Sequence, residues 1–138
     1  MPTEMKSLAI ILRASQLYAH QAHNLATGCT FFQDHEAFAK FYEAYESAYD
    51  SVVERMIGLT GDCDITSITR GACDIVEKSK FKDSRGAFAV LLATEKSICD
   101  VCTTENKKAS LGTQNLLQGI ADGSEMRQYQ IQQRLKDN

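Results

Sequence analysis

The only proline in this chain of 138 residues is Pro2, so no later residue is barred from the interior of an α-helix. The 8 glycines separate long segments in which apolar residues recur every three or four positions. A β-sandwich would need many short strands and frequent turn residues, and this pattern does not provide them. The sequence therefore predicts an all-α fold, a single domain covering residues 1–138.

The N-terminal half predicts two long helices. The first covers residues 3 to 26, where leucine, isoleucine, tyrosine and alanine follow helical spacing. The second begins near Gln33 or Asp34 and carries a continuous stripe of aromatic and aliphatic residues. Gly58 and Gly61 are the candidates for its end. We expect these two helices to form a hairpin.

The C-terminal half predicts two more long helices after a connection of more than twenty residues, 60–82. That connection contains enough apolar residues for one short helix. The third long helix opens at Asp83 or Ser84 and ends near Lys107, and the fourth follows a break at Gly112.

Two short loops around one long middle connection indicate a ferritin-like four-helix bundle, with a long crossover carrying a short helix between helices two and three. Gly119 and Gly123 fall inside the last helix and weaken the prediction that it is continuous.

Composition narrows the function classes. Lys and Arg number 15 against 18 Asp and Glu, so the net charge of −3 does not attract nucleic acid. No apolar run approaches the roughly 18–20 residues that a membrane helix needs, and no secretory leader is evident. The 5 irregularly spaced cysteines fit reduced thiols. We expect a soluble protein of the cytoplasm, without membrane contact and without strong direct DNA binding.

Candidate metal ligands are the histidines and one carboxylate pair. His23 ends the first helix and His35 begins the second, so the hairpin holds them level, where they could face one metal. Asp50 and Glu54 are four residues apart and share one face of the second helix. Such a pair is usually a solvated helix face. His20, one turn before His23, is either a bystander or an additional ligand.

One subunit cannot bring these groups to one ion, because Asp50 lies about 22 Å beyond His35 along a straight helix. A two-fold axis that packs the hairpin antiparallel against its copy would place the histidines opposite the partner's carboxylates. Nucleotide-binding glycine loops, the GxSxG serine motif, the HExxH zinc motif and the Glu-x-x-His pattern of di-iron bundles are all absent.

The sequence resembles the Dps family of mini-ferritins. The likeness lies in residues 23–36, continues through 49–55 and 59–61, and extends to the start of the last helix. The residues in family register are His23, Gly28, Phe31 or Phe32, His35, Glu36, Asp50, Glu54 and Arg55. The combined spacing of these histidines and carboxylates is far more specific than any pair among them.

The resemblance implies a hollow dodecamer that oxidises Fe(II), typically with hydrogen peroxide, and stores Fe(III) as a mineral, protecting against oxidative damage. The ferroxidase ligands carry over as His23 and His35 from one subunit and Asp50 and Glu54 from its two-fold partner. Iron is the implied metal, and the site lies at an interface of a homo-oligomer.

Three departures accompany the resemblance. The family's aspartate four residues after the second histidine is Ala39, and its tryptophan after the first histidine is Asn24. Gln114 and Asn115 stand where acids commonly line the pores that admit iron. The alternative is therefore a non-catalytic cage, or a structural or DNA-protecting protein, with weakened iron binding.

Two other sequence patterns are explained without a functional site. Cys99 and Cys102 form a CxxC inside a predicted helix without a second ligand pair, which favours packing over zinc binding. The short basic run near the crossover is typical of a solvated face. Its members are Lys78, Lys80, Lys82 and Arg85.

Overall fold

Five α-helices account for most of residues 3–136, which the computed structural model describes. They are α1 (Thr3–Leu25), α2 (Phe31–Thr60), α3 (Ile65–Lys78), α4 (Ser84–Asn106) and α5 (Leu111–Leu135). No strand occurs in that described range. The predicted all-α fold is confirmed, and so is the short helix within the long connection.

The four long helices form a bundle of two antiparallel hairpins. The hairpin α1/α2 packs against the hairpin α4/α5, with α1 beside α4 and α2 beside α5, while α3 lies on α1. Phe38 near the start of α2 stacks on Phe88 near the start of α4, with ring centroids 4.3 Å apart. Further along the same two helices, Tyr45 of α2 is hydrogen-bonded to Glu95 of α4. The two helices therefore run parallel, and the segment containing α3 crosses the length of the bundle, as in ferritin-like folds.

The core lies between the four long helices and extends to the face of α3 that packs on α1. It is built mainly from the predicted apolar stripes. One face of each helix is buried because aliphatic and aromatic residues repeat at helical spacing. Its largest fully buried apolar side chains are Met5, Leu8, Leu12, Tyr18, Phe38, Tyr45, Ile68, Leu91, Ile98, Leu117 and Ile131.

The boundaries of α2 differ slightly from the sequence prediction. The helix begins at Phe31, with Thr30 in the N-cap position, rather than near Gln33 or Asp34. Asp34 instead lies in the first turn, where its carboxylate accepts a hydrogen bond from the Thr30 hydroxyl at 2.7 Å. Gly61 ends the helix in a left-handed conformation, φ 88°, that other residues rarely adopt.

The prediction that Gly112 separates the last two helices is wrong. The side chain of Ser110 accepts a hydrogen bond from the Thr113 amide and caps α5, which places Gly112 inside its first turn. The helix continues through Gly119 and Gly123, because packing against α4 offsets the cost of about 1 kcal/mol per interior glycine.

Candidate metal centre

The tip of the α1/α2 hairpin positions the histidines. The chain turns at Gly28, φ 86°, whose carbonyl accepts a hydrogen bond from the Phe31 amide at 3.1 Å. His23 in the last turn of α1 thereby comes to lie against His35 in the second turn of α2. The two imidazole rings stack with centroids 3.6 Å apart and planes inclined by 22°. The predicted pairing of these histidines across the hairpin is present.

Each histidine is hydrogen-bonded to the backbone carbonyl of the other. Nδ1 of His23 lies 2.8 Å from the carbonyl oxygen of His35, and Nδ1 of His35 lies 2.9 Å from that of His23. A carbonyl only accepts, so each Nδ1 must carry a proton and donate it. In a neutral imidazole the lone pair is then on Nε2, the form that binds metals.

Stacking affects how the pair could bind metal. A metal ion lies close to the plane of the imidazole that binds it, and the two ring planes here are nearly parallel and separated. The arrangement therefore suits one imidazole for each of two neighbouring ions better than a single ion held by both. Sharing one ion would require a ring to turn.

Further aromatic rings extend the pair into what we call the hairpin cluster: His20, His23, Phe31, His35 and Tyr42. Phe31 stacks on His35 at 4.8 Å, and Tyr42 meets His23 edge-on at 5.5 Å. Tyr42 also stacks on His20 at 4.5 Å, while the rings of His20 and His23 are 6.2 Å apart. His20 thus joins the cluster through Tyr42.

The carboxylates lie elsewhere on the subunit. Asp50 and Glu54 are exposed on the outer face of α2, several turns from His35. Ala39, one turn after His35, adds no carboxylate, and it is half-buried. Among the described side chains, those of residues 5–136, no three histidine, cysteine, aspartate or glutamate residues come together as a metal-binding group. Within one subunit the histidine and carboxylate pairs remain separate.

A second polar centre, which the sequence analysis missed, lies in the middle of the bundle. We call it the core network: Tyr45, Glu95, Ser124, Arg127 and Gln128. Glu95 is completely buried, and its Oε2 accepts hydrogen bonds from the Tyr45 hydroxyl and, at 2.5 Å, from Arg127 Nε. Its backbone carbonyl accepts one from Ser124 at 3.1 Å. The signal was available, because Glu95 interrupts the apolar stripe of α4.

Burial and neighbouring charge together determine the pKa values of Tyr45 and Arg127. Burial, together with the negative charge of Glu95, raises the pKa of Tyr45 well above its usual range. Burial alone would lower the pKa of Arg127, but its hydrogen bond to Glu95 and that residue's charge outweigh burial and raise it. Tyr45 is therefore a neutral phenol beside the ion pair of Glu95 and Arg127.

A partly buried ion pair links the start of α2 to the end of α5. Arg134 donates to both carboxylate oxygens of Asp34, at 3.1 Å each. Burial alone would raise the pKa of Asp34, but the hydrogen bonds from Arg134 and Thr30 outweigh it and lower that pKa. This pair joins the two hairpins at the same end of the bundle as the hairpin cluster.

The CxxC cysteines pack rather than form an open site. Cys102 is buried, and burial, with Cys99 nearby, raises the pKa of its thiol to about 12. Cys99 accepts a hydrogen bond from the side-chain amide of Gln128 at 3.3 Å. A thiol that resists deprotonation is a poor zinc ligand.

No helix in the described range is long and apolar enough to span a membrane. No protein-family model matches the chain, and no curated protein sequence matches it closely enough to count.

Solved structures do match. Dps from Microbacterium arborescens, in its high iron form, is 14% identical with a TM-score of 0.82, and the match covers 98% of this chain and 91% of that one. Dps92 from Deinococcus radiodurans is 20% identical with a TM-score of 0.78, covering 99% and 86%. Antigen TpF1 from Treponema pallidum is 15% identical with a TM-score of 0.75, covering 99% and 96%. The chain therefore has the ferritin-like four-helix fold of the Dps proteins.

Proposed function

We propose that this chain is a Dps-type mini-ferritin that oxidises Fe(II) with hydrogen peroxide and stores Fe(III) inside a hollow homododecamer in the cytoplasm. The observation that carries the proposal is the histidine pair, with Nδ1 of each ring fixed by a carbonyl and Nε2 left to bind metal. Iron as the metal is supported by the shared fold, since one matching Dps structure is described in a high iron form.

The complete site would form between two subunits. His23 and His35 come from one chain, and Asp50 and Glu54 come from its two-fold partner, because about 22 Å of α2 separates the two pairs within a chain. Imidazole and carboxylate together suit Fe(II) and leave positions open for water and oxidant. His20 is a possible additional ligand, and its contact with Tyr42 holds it beside the site.

The chemistry follows from electron count. Two Fe(II) ions together supply the two electrons that convert one hydrogen peroxide, with two protons, into two waters. Peroxide is then consumed without releasing hydroxyl radical, which would protect the cell from oxidative damage. The ferric product would collect in the interior of the cage.

Mixing two inactive variants tests the shared site. His23→Ala and Glu54→Ala should each oxidise Fe(II) far more slowly than the parent. When the two are unfolded and reassembled together, one site in each mixed dimer combines an intact histidine pair with intact carboxylates. We expect oxidation to return in the mixture, as measured by stopped-flow absorbance. A mixture as inactive as its components would contradict a site shared between subunits.

A cage that has lost tight iron binding is the second candidate, and Ala39 favours it because the position offers the metal no carboxylate. Such a protein would assemble normally but would not speed Fe(II) oxidation.

DNA protection by direct binding would need phosphate contacts, and the exposed basic run is short. We expect no plasmid gel shift at about 150 mM salt, a condition that weakens phosphate-driven binding. A persistent shift would favour the DNA-protecting alternative.

A further inference from the structure

Tyr42 is the oxidisable side chain in contact with the candidate iron ligands. Its ring meets His23 edge-on at 5.5 Å and stacks on His20 at 4.5 Å. The chain contains no tryptophan, and the other non-histidine ring in the hairpin cluster belongs to Phe31, which is much harder to oxidise. Tyr42 is half-buried, so part of its side chain contacts water.

The proposed iron site binds its two ions unequally, so it can hold a single Fe(II), which supplies fewer electrons than hydrogen peroxide needs. The near-parallel histidine rings favour one imidazole per ion, and Ala39 leaves the position beside His35 without a carboxylate from its own helix. One position can be completed by a histidine, Asp50 and Glu54, while the other keeps a single histidine and water. At low iron, therefore, a single Fe(II) meets peroxide, and it supplies only one of the two electrons that peroxide needs.

We infer that Tyr42 supplies the second electron, an inference that rests on the proposed iron oxidation. Fe(II), hydrogen peroxide, the Tyr42 phenol and one proton from solvent give Fe(III), two waters and the neutral Tyr42 phenoxyl radical. The O–O bond breaks, iron and the phenol are each oxidised by one electron, and the phenolic proton joins one of the waters. No free hydroxyl radical leaves the site. A further Fe(II) or a cellular thiol returns the radical to tyrosine.

Tyr45 is a natural comparison because it lies one helical turn further along α2. Its hydroxyl donates to Glu95 inside the core network. Oxidising it would add a positive charge to a buried site that already contains Arg127, and burial penalises such a charge. The half-buried Tyr42 avoids this cost, so the radical is expected on Tyr42.

The test uses the assembled protein loaded with one Fe(II) per subunit and mixed with an equal amount of hydrogen peroxide. Freeze-quenched samples are examined by electron paramagnetic resonance. The parent should show a phenoxyl signal that narrows when the tyrosines carry ring deuterium, and it should oxidise one Fe(II) per peroxide. Tyr42→Phe keeps the stacked ring but should lose the signal and release hydroxyl radical to a spin trap. Tyr129→Phe, an exposed position on α5, is the matched control and should behave like the parent.

Several outcomes would overturn the inference. A phenoxyl signal of undiminished strength in Tyr42→Phe would place the radical elsewhere. A signal lost in Cys29→Ser but kept in Tyr42→Phe would assign the electron to the loop thiol. Oxidation of two Fe(II) per peroxide without any protein radical would show that iron alone supplies both electrons. Those three results leave the proposed function intact, whereas failure of Fe(II) to bind or to be oxidised would remove the proposed function and this inference together.

Discussion

The hairpin cluster and the core network both include residues of α2, yet their polar groups are bonded in opposite ways. In the core network Oε2 of Glu95 accepts hydrogen bonds from Tyr45 and Arg127, and a second Arg127 nitrogen lies 3.4 Å from Oε1. In the hairpin cluster His23 and His35 each use Nδ1 to bond the backbone, which leaves Nε2 to bind a metal. Polar groups that pair with one another inside the protein stabilise it, while a ring nitrogen without such a partner near the surface is available for chemistry.

The largest expected effect comes from breaking the core network. Glu95→Ala leaves the mostly buried guanidinium of Arg127 without its counter-ion and Tyr45 without its acceptor. Removing one partner of a buried ion pair costs about 3–5 kcal/mol. We expect the midpoint of denaturant unfolding to fall accordingly. Glu125→Ala, an exposed position on α5, is the control, and equal midpoints for the two variants would show that the network contributes no stability.

Removing a carboxylate from the outer face of α2 should reduce activity and leave stability nearly unchanged. Glu54 is exposed, so Glu54→Ala should change the free energy of unfolding by no more than about 0.5 kcal/mol. It should nevertheless abolish most Fe(II) oxidation, because the proposed site loses a carboxylate ligand. Stopped-flow oxidation measures this loss, with the exposed Glu77→Ala on α3 as the control. If Glu54→Ala oxidises iron like the parent, the site lies elsewhere.

The contrast also shows what the sequence can and cannot predict. Helical spacing predicted the four long helices, and the positions of His23 and His35 predicted their pairing, because both depend on local periodicity and one short loop. The role of Glu95 depends on Arg127, 32 residues later, and nothing in local spacing connects the two. The end of α5 likewise reaches Asp34 only through the tertiary fold, 100 residues away in sequence.

The Asp34–Arg134 ion pair should contribute less to stability than the core network does, and its contribution should depend on pH. The folded pKa of Asp34 is below its ordinary value of 3.8. Its contribution to stability is therefore complete above about pH 4 and is lost as the pH falls through the folded pKa. Asp34→Asn should lower the Tm at neutral pH, and the difference from the parent should shrink toward pH 2. Asp122→Asn, an exposed position on α5, controls for general acid effects. A difference in Tm that stays constant with pH would contradict the ionic role.

The smallest expected change is in iron occupancy, and it comes from adding a carboxylate ligand to α2. Ala39 lies one turn after His35, so the carboxylate introduced by Ala39→Asp falls beside the poorly ligated iron position. Each carboxylate helps to neutralise Fe(II), a relatively hard cation, and occupancy of the second position should rise.

The lower helix propensity of aspartate costs at most about 0.7 kcal/mol, too little to disturb the bundle. Anomalous scattering from iron-soaked crystals would measure the occupancy of both positions, and Ala39→Asn, which lacks the charge, is the matched control. A second well-ligated Fe(II) also removes the shortage of electrons, so Ala39→Asp should weaken the Tyr42 radical as it moves the stoichiometry toward two Fe(II) per peroxide. Unchanged occupancy in Ala39→Asp would mean that the second ion, if it binds, does so away from this turn of α2.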